Sequence, residues 1–283
     1  MRGAITPTTI FGTVAMARQG SSSLILVVEG DDDHFMIKEH INDGDVVLIG
    51  GSGRPKVLEA AVKAEQRGVR GVRFLVDADY DRFTQPASRY PSNVVASQHH
   101  DAMIDVVLTN PAVLDRVIAS YGRSVDRRGG TLDVASVRDA AISLAAALAP
   151  LRIVNERMGY NLNLRDFPFG RLASIVPTAA DLSTLVIERS DTTLTAAQLE
   201  AEIEGHRSHA GTDVAVLAGD HDLFRALARV LVDHGVNVRA DFLWSGFMSA
   251  VDCGVLAVVP WYQELLDWGV ANSRATFNCK LAA

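Results

Sequence analysis

The sequence predicts an α/β fold: a parallel sheet flanked by helices, followed by a mainly helical C-terminal region. Three observations predict it. Short apolar runs alternate with amphipathic stretches from residue 24 to about residue 97. Their strand–helix–strand–helix–strand order implies parallel strands joined by right-handed crossovers. The second half is instead dominated by segments of helical period, one of them rich in alanine.

"LILVV" (24–28) reads as a buried strand, followed by a helix from about Asp32 to Ile41. "DVVLIG" (45–50) is the second strand. "GSGRPKVLEAAVKAEQRG" opens as a flexible turn and continues as a helix, with Pro55 suited to the first turn. "VRFLVDADYD" (72–81) is a third strand ending in acids, and "SNVVAS" (92–97) a fourth. Beyond them, "HDAMIDVVLTNPAVLDRVIASYG" predicts helices around a break at Pro111, and "VASVRDAAISLAAALAPLRIVNERM" is amphipathic with a good helical period. "HAGTDVAVLAGDHDLFRALARVLVDHG" holds an apolar run, then a helix with Leu223, Leu227 and Val230 on one face. The tail from about residue 240 carries all three tryptophans and predicts further helices. The glycine-flanked "GRSVDRRGG" (122–130) reads as an exposed loop, dividing an α/β domain with an N-terminal helix (1–121) from a mainly α-helical domain (122–283).

Of the 283 residues, 48% are hydrophobic and 22% charged, which suits a globular chain with a substantial core. No apolar run approaches the ~20 residues that span a bilayer, and the N-terminus lacks a signal-peptide pattern, so no membrane association is expected. Cys253 and Cys279 fit no metal-ligand spacing, and a disulfide framework is not expected; a reducing cytoplasm is the default location. The net charge of −7 argues against a protein that binds nucleic acid chiefly by neutralising phosphates. It argues less against an enzyme whose acids are offset by divalent cations.

In parallel sheets ligands gather at the C-terminal ends of the strands. Glu29, Asp77, Asp79 and Asp81 all fall there. Gathered carboxylates push one another's pKa upward unless a cation pairs with them. Oxygen-only ligands suit Mg2+ or Mn2+, which activate a water or hydroxyl and stabilise a phosphate in transfer.

The apolar strand ending in Glu29-Gly30, with a downstream strand ending in Asp77-Ala78-Asp79, resembles the Toprim domain shared by topoisomerases, primases and OLD-family nucleases. The resemblance covers roughly residues 22 to 105. A narrower one, to OLD-like stand-alone Toprim proteins, spans most of the chain. It rests on "GGSGRPK" (Gly50 to Lys56), "HHDAMID" (His99 to Asp105) and "GDHDLFRAL" (Gly219 to Leu227). The chain departs from that group at Asp220, an additional residue between Gly and His, and at Met103, where a glutamate is usual. Asp105 follows two residues later. The group includes the Toprim effector of PARIS-type phage-defence systems, a nuclease acting with an ABC-type ATPase partner.

The resemblance implies a metal-dependent hydrolase of nucleic acid, DNA or RNA. Glu29 would act as ligand and proton acceptor, Asp77 and Asp79 would hold Mg2+ or Mn2+, and Asp81 would assist. It further implies an antiviral role in which a partner ATPase holds the activity latent; self-association is left open. The signature prefers an acid at Asp33, which could equally serve the helix start, as Asp31 and Asp32 do. Lys56 either presents a cation to a substrate phosphate or is an exposed helix-start lysine.

Competing readings fit less well. A calcium loop at "DADYD" fails at Arg82, where glycine is required. An aspartyl-phosphate phosphatase wants a hydroxyl residue where Asp81 stands, and gives Glu29 no role. Topoisomerase chemistry needs a positioned tyrosine on a large additional domain for which this chain has no room. No third His or Cys completes a zinc site with His99 and His100. His221 and Asp222 precede an apolar helix face, which favours capping or a buried hydrogen bond. Arg123, Arg127 and Arg128 either contact phosphates or lie in a solvated loop. The alternative of another class is a catalytically idle Toprim-like binding or sensor subunit of an ATPase complex.

Overall fold

A computed structural model describes residues 5–84, 90–207 and 217–279. The elements run α1 (Pro7–Gly20), β1 (Leu24–Val28), α2 (Asp31–Lys38), β2 (Val46–Gly50), α3 (Arg54–Gln66), β3 (Val72–Val76), α4 (Asp81–Thr84) and β4 (Val94–Ala96). There follow α5 (Ala102–Thr109), α6 (Ala112–Ala119), α7 (Gly122–Asp126), α8 (Val134–Ala146) and α9 (Ala149–Met158). The remainder comprises α10 (Ala179–Ile187), α11 (Ala196–Arg207), α12 (Asp220–Asp233), α13 (Ala240–Ala250), α14 (Cys253–Leu256) and α15 (Pro260–Ala271). The α/β class is as the sequence predicts, with a helical C-terminal region.

The four strands form one all-parallel sheet in the order β2-β1-β3-β4. β1 is central and buried at every residue, which explains why it is a continuous apolar run and not an alternating one. One face of the sheet, formed by Ile25, Val27, Val72, Phe74 and Val76, packs against Ile10 and Val14 of α1 and Val57, Ala60, Ala61 and Ala64 of α3. The small residues of α3 let that helix lie close to the strands. On the opposite face the guanidinium of Arg73 stacks 5.8 Å from the ring of Trp268 in α15.

Local chemistry sets the helix starts. Thr6 caps α1 through the Thr9 N–H, with Pro7 in its first turn. Gly53, at φ 94°, and Pro55 open α3. Asp101 caps α5 through the Ile104 N–H at 2.6 Å. The Ala-rich segment forms two helices, α8 and α9. Pro150, in the first turn of α9, has no N–H to continue the ladder of α8, and the break falls at Ala147–Leu148. Val134–Met158 is the one stretch among the described residues long and apolar enough to cross a membrane by length and composition; 56% of its most apolar window is buried in the protein, as in a core helix.

The chain divides into two compact units. The first comprises residues 5–79, 90–110 and 251–279, and the second residues 80–84, 111–207 and 217–250. The division expected at 121/122 thus falls after Asn110, and the tail returns to the first unit. Long-range pairing, invisible to local pattern, causes the return: Phe277 bridges to Ile41, and the Trp261 indole N–H donates to the Ala102 carbonyl at 3.1 Å. The expected loop at 122–130 opens with α7, and Arg128 donates to the carbonyls of Ser124 and Gly235. The apolar run expected ahead of α12 lies, apart from buried Leu217 and Ala218, outside the described residues.

The cysteine reading is corrected. Cys253 and Cys279 form a disulfide across a sequence separation of 26, because the returning tail brings Cys279 beside the start of α14. Cysteine usage therefore no longer argues for a reducing compartment.

Candidate metal centre

From β1 the chain moves to one side of the sheet, to β2, and from β3 to the other, to β4. The order therefore reverses between β1 and β3, and in parallel sheets a crevice opens beyond the strand ends at such a point. Glu29 follows β1 there, and Asp77 follows β3.

The glycine stretch shapes the rim. Gly51 N–H donates to Val28 O at 2.7 Å and Gly53 N–H to Glu29 O at 3.2 Å, so the turn after β2 folds over the end of β1. A Cβ on Gly51 would lie 2.4 Å from Val57 Cγ2, 2.7 Å from Val28 O and 2.9 Å from Glu29 O. Only glycine fits that approach.

Glu29 is half-buried, and its Oε2 accepts the Asp77 amide N–H at 3.2 Å. Burial raises its pKa above the ordinary carboxylate value, and the charge of Asp79 adds to this. The Asp77 amide and the Arg54 amide and guanidinium oppose it. Asp77 accepts the Ala102 N–H on Oδ1 at 2.9 Å. Its pKa is pushed well above the usual range, first by burial, then by the negative charges of Asp33, Asp101 and Glu29. Asp33 accepts the Gly30 N–H on Oδ2 at 3.0 Å, closing the first turn of α2. That bond gives Asp33 a helix-start role while its charge still bears on Asp77.

Asp79 sits in the left-handed region at φ 46°, its N–H donating to His100 O at 2.7 Å. The bend carries its carboxylate toward Arg54, with Oδ2 3.5 Å from Nη1. Glu29, Asp77 and Asp79 accordingly do not close to within 4.8 Å of one another as a ligand set among the described residues. Lys56 bonds Ser52 Oγ at 3.3 Å, on the turn between β2 and α3. Asp81 belongs to the second unit, where it is buried at the start of α4.

Asp105 is fully buried and serves as a loop organiser. Its Oδ2 accepts the Gln98 N–H at 2.7 Å, and its Oδ1 accepts the His99 N–H at 2.8 Å and meets His99 Nδ1 at 2.7 Å. Asp101, buried and 3.1 Å from His100 Nδ1, is the acid from this segment whose charge reaches Asp77. In the second unit, buried Asp222 accepts Arg152 Nε at 2.9 Å and Nη2 at 2.6 Å, the buried hydrogen bond that its apolar setting predicts. His221 N–H donates to Asp220 Oδ1 at 2.5 Å.

Arg54 is the residue of the site that the sequence reading missed. It pairs with Asp79, bonds the Tyr90 hydroxyl at 3.0 Å and lowers the pKa of Glu29. Its signal was its position directly after Gly53, which turns the head of α3 toward the end of β1.

No protein-family model matches the chain, and no curated protein matches it in sequence.

Proposed function

We propose that the chain is a metal-dependent nuclease of Toprim type that hydrolyses phosphodiester bonds in DNA or RNA. One observation carries the reading: Glu29 and Asp77 meet at the β1/β3 reversal, joined by the Asp77 N–H to Glu29 bond, with the charges of Asp33 and Asp101 directed at Asp77. All of these donors are oxygens, and the repulsion among them is what a hard divalent cation offsets. Bound Mg2+ or Mn2+ would supply charge stabilisation at the phosphate and acidify a water.

Asp77, Asp79 and Asp33, all in the first unit, would hold the ion. Glu29 takes the proton of the attacking water; a carboxylate with a raised pKa is the better base for that task. Arg54 and Lys56, at the head of α3, offer cations to the scissile and flanking phosphates. The acidic net charge suits an enzyme that binds nucleic acid weakly by itself and is held latent by an ABC-type ATPase in anti-phage defence, in the cytoplasm.

A second reading, a catalytically idle binding or sensor subunit, is favoured by the Arg54–Asp79 pair, which neutralises one ligand of the set. Cleavage of labelled DNA and RNA by purified protein in Mn2+, beside Glu29→Gln, separates the two. Cleavage by wild type and not by the variant is the expected result. Equal cleavage by both would remove Glu29 from the mechanism, and silence from wild type, with and without its ATPase, would favour the idle subunit.

A further inference from the structure

His40, Cys253 and Cys279 come together in the first unit, far in sequence from one another and distinct from the carboxylate cluster. Their ligand atoms, one nitrogen and two sulfurs, all lie within 4.8 Å of each other, and all three residues are half-buried. His40 Nδ1 stands 3.7 Å from Cys253 Sγ. In a tetrahedral zinc site, with Zn–S of ~2.3 Å and Zn–N of ~2.0–2.1 Å, ligand sulfur and nitrogen are about 3.6 Å apart. The imidazole therefore already stands where a shared ion would require it. Only the two sulfurs must separate, to about 3.8 Å in the same geometry, once the bond between them is reduced.

Contacts other than the disulfide also hold this arrangement. Asn278 N–H donates to His40 O at 2.8 Å, and its side-chain amide to Ile41 O at 2.7 Å. Asn42 N–H donates to Thr276 O at 3.0 Å, and Ala275 N–H to Asp45 Oδ2 at 2.9 Å. The ring of Phe277 stacks on Tyr262 at 4.1 Å. Cys279 is thus delivered to His40 by pairing of residues 275–278 with residues 40–45, contacts that do not run through its sulfur.

We propose that the Cys253–Cys279 disulfide alternates with a Zn2+ site formed by Cys253, Cys279 and His40, with a fourth position open to water. A cellular thiol or dithiol supplies the electrons: the S–S bond breaks, two thiols form here, and the donor becomes a disulfide. Binding of Zn2+ then releases two protons, one from each thiol, leaving two thiolates and one neutral imidazole on the ion. The tail is fastened in either state, by sulfur in oxidising surroundings and by metal in reducing ones.

Co2+ is the probe that tests this, because thiolate-to-cobalt charge transfer cannot arise from the all-oxygen cluster. Full-length protein is reduced with a dithiol, freed of reductant anaerobically and titrated. The expected result is one Co2+ with a two-thiolate charge-transfer band in reduced wild type, and no band in the oxidised protein. His40→Ala should weaken that binding by at least roughly tenfold, loss of a ligand costing no less than loss of its supporting partner. X-ray absorption of the reduced wild type loaded with Zn2+ gives a readout that does not depend on a variant folding, with two sulfurs and one imidazole expected. Absence of the band from reduced wild type, sulfur coordination without imidazole, or equal affinity in a folded His40→Ala would overturn the proposal.

Discussion

At Asp77 a carboxylate is buried between Glu29, Asp33 and Asp101, and its own bond to Ala102 N–H does not offset that field. The folded chain therefore holds the Asp77 and Glu29 protons more tightly than the unfolded chain does. As pH rises from the ordinary carboxylate range near 4, the unfolded chain releases these protons first, and stability falls until both folded groups have ionised. Above that it is flat. Asp77→Asn keeps the shape and the acceptor while removing the charge. In chelator at pH 8 it should stabilise the protein by on the order of 1 kcal/mol, and at pH 4 the gain should vanish. Urea midpoints at the two pH values check this. Glu29, Asp77 and Asp79 were nameable from sequence because strand-end acids at a predicted sheet edge are a local pattern. Arg54 was not, because its role depends on where the head of α3 turns.

Among the elements, the strands were the most legible. β1 matches its apolar run residue for residue, since a central parallel strand is buried on both faces. β3 closes at Val76 and leaves Asp77 to Asp81 outside the ladder, where the backbone reverses at Asp79. The positive φ there goes together with the pairing of Asp79 N–H with His100 O, a contact between separate segments that no local pattern encodes. The turn between β2 and α3 is the tightest approach at the site. Gly51→Ala should cost about 2–3 kcal/mol, at the upper end for an overpacked position because two of its three neighbours are backbone oxygens. It should also displace Glu29; denaturation midpoints read the first effect and metal affinity the second. In the second unit, the ion pair of Arg152 with Asp222 ties α9 to α12. Arg152→Ala leaves buried Asp222 without its guanidinium and should cost about 3 kcal/mol, the low end for a broken buried pair because Arg152 is 26% exposed. Urea denaturation checks this as well.

At the scale of the whole molecule, the order of elements was readable and their grouping was not. Residues 251–279 complete the first unit through contacts with Ile41, Asp45 and Ala102, each more than a hundred residues away in sequence. The disulfide was missed for the same reason, because spacing along the chain says nothing about two cysteines that meet through a returning tail. The proposed function of the first unit requires the carboxylates at the β1/β3 reversal to bind a divalent cation. Calorimetric titration of the metal-free protein with Mn2+, beside Asp77→Asn, tests it most directly. Wild type should bind, the variant more weakly by over roughly tenfold, and the wild-type melting temperature should rise as Mn2+ is added. Equal binding by both proteins, or none by wild type, would contradict it.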